Sequence, residues 1–174
     1  MIALAALNAL DRAGFTAAVG HVFEHSSWIA ERVWRERQAC GRKPFESVEE
    51  LHAAMMQIVH AASEEERLGL LRAHPDLVGR LAREGRLTAE STAEQRAAGL
   101  GAVSADEAAA FERYNAAYRE KFGFPFIVCA RENRKEAILA AFLVRLQNGW
   151  EVEMAAALAE VAKIAMLRLR DTVR

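Results

Sequence analysis

A Ser-x-x-Glu pattern occurs four times in the chain, and it constrains the fold more than any other feature of the sequence. The pattern begins at Ser47, Ser63, Ser91 and Ser104. In such a capping box, the serine oxygen and the glutamate carboxylate bond backbone N–H groups that the start of a helix leaves without partners. The intervals between the four patterns are irregular, so they predict separate helix starts rather than a repeat.

The composition and the apolar spacing agree with a helical fold. The 174 residues are rich in Ala, Leu, Glu and Arg and include only 3 prolines, a mixture that favours helix over strand. Only residues 124–130, FPFIVCA, have strand-like composition, and they have no obvious partner strand, so we expect a buried, extended connector. We therefore predict an all-α fold in which residues 1–174 form a single compact domain of about seven to eight helices.

Several helix boundaries are predicted from single residues. We expect Asn8 to cap a helix over residues 8–24 and Asn133 to cap a later one. His74 stands directly before Pro75; proline disfavours helical geometry at the residue before it and suits the first turn of a new helix. The sequence thus predicts His74 at the N-cap of a helix over residues 75–84, closed by Gly85.

Charge and cysteine content exclude several classes of function. The chain has 23 basic and 24 acidic residues, which are interspersed, so no block of like charge indicates a nucleic-acid or membrane surface. Cys40 and Cys129 form neither a disulfide framework nor a metal-binding pair, and we expect a reduced, cytoplasmic setting with Cys129 an inert thiol. His21 and His25 are four residues apart, but no third ligand pattern accompanies them, so no metal site is predicted.

Four polar residues are candidates for chemistry, and each has a structural alternative. His74 is either a general acid–base or a helix cap, and Glu94 either orients an imidazole or substrate hydroxyl or completes a capping box. Gln95 either bonds an amide-like ligand or lies in solvent. Arg168 shares a helical face with apolar residues. If its side chain is buried, it needs an anionic partner, which a carboxylate ligand would supply. Arg131 is the competing candidate for this role.

Five stretches together resemble the OHCU decarboxylase family, whose members decarboxylate 2-oxo-4-hydroxy-4-carboxy-5-ureidoimidazoline (OHCU) in urate catabolism. They are VFEHSSWIAERVW (22–34), HPDL (74–77), LTAESTAEQ (87–95), NAAYREKFGFPFIVCAR (115–131) and AKIAMLRLRD (162–171). The stretches occur in the family's order and cover nearly the whole chain. The combination of HPDL, SxxEQ and FGFPF is specific, whereas each alone is weak.

The resemblance implies an all-α homodimer that forms (S)-allantoin and CO2 from OHCU without a metal or organic cofactor. It implies that His74 is the catalytic histidine, Glu94 its acidic partner and Arg168 the arginine of the closing motif, although Met166 stands where relatives often have arginine. It also implies a substrate pocket lined by Pro75, Ser91, Thr92, Ala93, Glu94, Gln95 and the backbone of Phe126, Ile127, Val128, Cys129 and Ala130. Two alternatives stay open: a helical interaction module without activity, and a decarboxylase or hydrolase of another ureido compound.

Overall fold

The computed structural model confirms the all-α prediction. It describes the backbone of residues 1–174 and every side chain except those of residues 81 and 83. Eight helices have seven or more residues, in agreement with the predicted number. The α-helices are α1 (Leu4–Ala9), α2 (Arg12–Val19), α3 (Trp28–Ala39), α4 (Val48–Ala61), α5 (Glu64–Arg72), α6 (Arg80–Arg83), α7 (Ala89–Ala97), α8 (Ala105–Phe122), α9 (Lys135–Arg145) and α10 (Trp150–Thr172), with 3₁₀ turns at Gly20–Val22 and Ala130–Glu132.

The chain forms two compact units. The first comprises residues 1–73 and 162–174, and the second comprises residues 74–161. The boundary falls within α10, so this helix contributes residues to both. The prediction that residues 1–174 form a single domain stays a prediction.

The first unit is built on α2, α3 and α4, where α3 packs against both of the others. Its buried side chains include Phe15, Val19, Ile29, Val33, Leu51, Met55, Val59 and Leu169. The single helix predicted over residues 8–24 is wrong: α2 begins after Asp11, whose carboxylate accepts from the Gly14 N–H at 2.8 Å. Asn8 does not cap it, because its side-chain amide bonds the N–H and the carbonyl of Phe45 at 3.0 and 2.9 Å.

Two of the four predicted capping boxes are confirmed in full. Ser63 with Glu66 caps α5, and Ser104 with Glu107 caps α8. At α4, Ser47 is the N-cap as predicted, but the Glu50 carboxylate accepts from the Glu46 N–H at 2.7 Å instead of from the Ser47 N–H.

The capping box predicted at Ser91 and Glu94 is wrong, because α7 begins one turn earlier. Thr88 is the N-cap, and its hydroxyl accepts from the Ser91 N–H at 3.2 Å. Ser91 therefore lies inside the first turn and is buried, with 5% of its surface exposed. The cap predicted at Asn133 is also wrong: Arg134 precedes α9, and the Asn133 amide donates to the Cys129 carbonyl at 2.9 Å.

The second unit has an aromatic core between α8, α9 and the residues that follow α8. Gly123 ends α8 in the left-handed conformation with φ +77°, as its place after an apolar helix predicts. The rings of Phe126 and Phe142 stack with centroids 3.8 Å apart, and Tyr118 makes edge contacts with both. Residues 124–130 are all buried and belong to no strand, which confirms the predicted connector.

Candidate active site

The segment that carries His74 is irregular rather than helical, so the helix predicted over residues 75–84 is wrong. Only α6 forms there, after Gly79, and Gly85 follows it with φ +65°. His74 is therefore not the N-cap of a helix. Tertiary hydrogen bonds replace the helical ones here, because side chains from α7 and α8 bind the backbone of residues 74–79. These six residues are called the histidine segment.

Two side-chain amides bind the backbone of the histidine segment. The Gln95 side-chain oxygen accepts from the Val78 N–H at 3.1 Å, and its nitrogen donates to the Asp76 carbonyl at 3.4 Å. From α8, the Asn115 amide donates to the Leu77 carbonyl at 2.8 Å. Three consecutive residues after Pro75 are thus fixed by contacts that take the place of helical hydrogen bonds.

His74 is buried, with 7% of its surface exposed, and Pro75 is half-buried. One turn beyond Asn115 on α8, the Arg119 Nε donates to the Asp76 carboxylate at 2.8 Å. Asp76, two residues after His74, is thus anchored to α8 by its side chain as well, which restricts the backbone that presents the imidazole.

The residues of the SxxEQ stretch divide between two faces of α7. Ser91 and Gln95 are four residues apart and buried, and Glu94 is half-buried beside them. Thr92 and Ala93 are exposed, and the Thr92 hydroxyl donates to the Thr88 carbonyl within the helix at 2.8 Å. The buried side of α7 is therefore the one that bonds the histidine segment.

The connector lies against α7 in the same unit. Helix α7 packs on the 3₁₀ turn that ends the connector. Burial raises the pKa of the Cys129 thiol to about 11, and the carboxylates of Glu132, Glu160 and Glu94 act in the same direction. A buried thiol with this pKa is protonated at neutral pH, as expected for an inert cysteine.

The connector backbone is bound by two charged side chains that the sequence analysis missed. The Ile127 carbonyl accepts from the Arg145 Nη1 at 2.6 Å, and the Cys129 N–H donates to the Glu160 carboxylate at 2.7 Å. The Arg145 guanidinium also lies 4.5 Å from the centre of the Phe126 ring. In the sequence, Arg145 follows eight uncharged residues, 137–144. A charged residue that directly follows such a run can indicate a buried position, so the sequence contained a signal for Arg145.

Arg145 is neutralised by a carboxylate that has no exposed surface. Its Nε donates to Glu153 at 2.7 Å, and the Asn148 amide donates to the other carboxylate oxygen at 2.7 Å. The Tyr118 hydroxyl also bonds Glu153, and burial, followed by this bond, raises the Tyr118 pKa. Such a network satisfies a buried charge with several donors, as burial of a carboxylate requires.

Arg168 belongs to the first unit, where it is buried with 4% of its surface exposed. Its Nη1 donates to the Glu24 carboxylate at 3.0 Å and lies 3.5 Å from the Val22 carbonyl. The anionic partner that a buried Arg168 needs is thus supplied within the chain. Its predicted role towards substrate stays a prediction, and the competing Arg131 is exposed.

The described residues include neither a metal-binding cluster nor a membrane-spanning helix. No group of three or more His, Cys, Asp or Glu side chains among them could hold a metal ion. Within the same residues, no helix is long and apolar enough to cross a membrane.

The sequence model of the OHCU decarboxylase family matches residues 8–170. The chain belongs to the OHCU decarboxylase family. It is 42% identical over 170 residues to the 2-oxo-4-hydroxy-4-carboxy-5-ureidoimidazoline decarboxylase of Haloferax volcanii, and the match covers 98% of this chain and 95% of that relative.

Two solved structures are similar to this member of the OHCU decarboxylase family. A crystal structure of (S)-allantoin synthase has a TM-score of 0.80 at 30% identity; the match covers 100% of this chain and 54% of that one. A crystal structure of OHCU decarboxylase in the presence of (S)-allantoin has a TM-score of 0.67 over 86% of this chain and 93% of that one. At 24% identity, this second similarity concerns the fold.

Proposed function

We propose that this protein decarboxylates OHCU to (S)-allantoin and CO2 in urate catabolism. The observation that carries the proposal is the hydrogen bonding of Gln95, from the SxxEQ stretch, to the backbone that directly follows His74 and Pro75. The hydrogen bonds bring two motifs of the family resemblance next to each other, which supports their joint role in the proposed site. Family membership and the relative from Haloferax volcanii support the same reaction.

The reaction needs an electron sink and a directed proton. The bond between the carboxylate and the ring breaks, CO2 leaves, and the electron pair passes into the adjacent C–N unsaturation of the ring. The ring nitrogen that receives the pair takes up a proton, which leaves an enol. The ring carbon that bears the ureido group is then protonated while the hydroxyl loses its proton and becomes the ring carbonyl, and protonation from one face gives a single enantiomer. Because the substrate supplies the sink, the protein has to bind the carboxylate, stabilise developing charge and deliver the proton.

His74 is the proposed general acid–base, and Glu94 orients either its imidazole or the substrate hydroxyl. Arg168 holds a polar or anionic part of the ligand. Ser91, Gln95 and the connector bind the ureido and ring groups. Gln95 has a second task in this scheme, because its amide also fixes the histidine segment.

The deciding experiment follows freshly generated OHCU by circular dichroism with and without the protein. We expect fast formation of one-handed allantoin, and a loss of about a hundredfold or more in rate for His74→Gln and for Glu94→Ala. His60→Gln, at an exposed histidine, is the matched control and should keep the wild-type rate. Slow racemic product with the wild-type protein would refute the decarboxylase; near-normal activity of either site variant would refute the assigned roles.

The proposal includes three further properties that rest on the resemblance and on the sequence. The protein is a homodimer, it needs neither metal nor organic cofactor, and it is cytoplasmic. Light scattering, which measures the mass of the protein in solution, tests the homodimer, and a monomeric mass would contradict it. Retention of activity after exhaustive dialysis against EDTA tests independence of metal, and fractionation of the source cells tests the location.

A further inference from the structure

The connector is held through two carboxylates of one helix. Glu160 binds the Cys129 N–H directly at 2.7 Å. Glu153 lies seven residues earlier in α10, two turns away on the same face. It pairs with Arg145, which in turn donates to the Ile127 carbonyl. Two peptide groups on either side of Val128 are thus fixed from the same helix.

These two bonds determine where the peptide groups of Val128 point. No peptide bond of the described backbone is cis. In a planar trans peptide the N–H and the C=O point in opposite directions. The Ile127 carbonyl points to Arg145, so the Val128 N–H points away from it. The Cys129 N–H points to Glu160, so the Val128 carbonyl points away from that carboxylate.

Val128 is 9% exposed, and no described residue forms a hydrogen bond with its N–H or its carbonyl. Backbone groups of buried residues are nearly always paired in proteins. A ureido group offers both an N–H donor and a carbonyl acceptor, so it can satisfy the donor and the acceptor of one residue. The connector therefore presents polar groups that match the proposed substrate.

We propose that Glu160 and the Arg145–Glu153 pair are positioning residues for the decarboxylation, which fix the connector so that the Val128 peptide groups meet the ureido part of the substrate. This inference rests on the proposed function. None of the three side chains needs to touch the substrate. Their effect is on binding geometry, which predicts a change in KM rather than in the proton-transfer step that His74 performs.

The test compares Glu160→Ala with Glu160→Gln, because glutamine keeps an oxygen that can accept from the Cys129 N–H. Loss of a hydrogen bond to a charged group should raise KM for OHCU about tenfold or more in Glu160→Ala, with kcat within about twofold of wild type. Glu160→Gln should keep KM within about threefold, since the acceptor remains. Glu151→Ala, an exposed glutamate of the same helix, is the control and should match wild type.

A second measurement follows the connector itself. Hydrogen exchange at the Cys129 amide should accelerate in Glu160→Ala and stay slow in Glu160→Gln. If the wild-type protein is active and Glu160→Ala keeps its KM, the positioning role is wrong while the proposed function stands. A lower kcat at unchanged KM in the alanine variant would indicate a merely structural role and also overturn the inference. An inactive wild-type protein would overturn the proposed function and this inference together.

Discussion

The histidine segment and the connector differ in the side chains that bind their backbone, which are mainly neutral for the first and charged for the second. Both are irregular stretches of the second unit whose backbone is bound by side chains from neighbouring helices; the connector is fully buried and the histidine segment partly so. The histidine segment is held mainly by the neutral amides of Gln95 and Asn115. The connector is held by Arg145 and Glu160, and the charge of Arg145 is balanced by a fully buried carboxylate. Charged anchors bind more strongly, but they make the loss of one partner much more costly.

The largest effect on stability should come from removing the arginine that holds the connector. Arg145→Met leaves Glu153 buried without its main counter-charge, and breaking such a pair costs about 3–5 kcal/mol in the free energy of unfolding. Urea unfolding followed by circular dichroism measures the change.

The matched control is Arg170→Met, since Arg170 forms an exposed ion pair with Glu49 and its replacement should leave the free energy of unfolding close to that of wild type. Replacing Glu153 by Gln in the Arg145→Met background should recover part of the loss, because the uncompensated charge is gone. If Arg145→Met and Arg170→Met lost equal stability, the connector would not depend on a buried charge pair.

A smaller loss is expected when the neutral anchor of the histidine segment is removed. Gln95→Leu leaves the Val78 N–H and the Asp76 carbonyl without their side-chain partner, which costs about 1–3 kcal/mol. The same change should lower decarboxylation, because the backbone next to His74 is released.

Gln147→Leu, at an exposed glutamine, controls for the change in side-chain type. Urea unfolding and the OHCU assay are measured on both variants. A Gln95→Leu protein with wild-type stability and activity would contradict the anchoring role. A loss larger than that of Arg145→Met would reverse the ranking of charged above neutral anchors.

Local patterns predicted most of the long helices, two of the four capping boxes and the connector, but they predicted neither the irregular histidine segment nor the side chains that hold the two segments. The Ser-x-x-Glu pattern predicts Ser63 and Ser104 as caps, and at both positions the structure agrees with the local pattern. At α7 both Thr88 and Ser91 are suitable caps, and the burial of Ser91 in the site decides in favour of Thr88. A local pattern contains no information about such burial, so the sequence suggested the wrong one.

The failed prediction of a helix after Pro75 has the same origin. Proline at a first turn favours a helix locally, but Gln95 and Asn115 bind the following backbone from positions 17 to 38 residues away in sequence. The participation of Arg145 was hidden for a similar reason, because its partners Ile127 and Glu153 lie on separate elements. The family resemblance suggested the site residues, whereas the residues that hold the site became evident only from the structure.

The cap of α7 provides a third prediction, because this helix carries the neutral anchor. Thr88→Ala should cost about 1 kcal/mol, since the Ser91 N–H loses its acceptor, and Thr88→Ser should restore most of it. For a protein of this size, 1 kcal/mol corresponds to a fall of about 2–4 °C in Tm. A Thr88→Ala protein that melts with the wild type would contradict the assignment of this cap.

The smallest effect concerns the reactivity of the connector thiol. Cys129 is buried and Cys40 is exposed, so iodoacetamide at pH 8 should modify Cys40 and leave Cys129 unmodified, as peptide mass spectrometry can measure. Only the thiolate reacts, and the raised pKa keeps Cys129 protonated until the pH approaches about 11. Because the folded protein holds the Cys129 proton more tightly than the unfolded chain does, the raised pKa stabilises the fold. This contribution to the free energy of unfolding is complete below the unfolded pKa of 9.0 and is lost as the pH rises towards 11. The stability difference between wild type and Cys129→Ser should therefore change over that interval and stay constant below it. Equal alkylation of both cysteines at pH 8 would show that the connector opens readily, and would place it with the weakly held parts of the molecule instead of the strongly held ones.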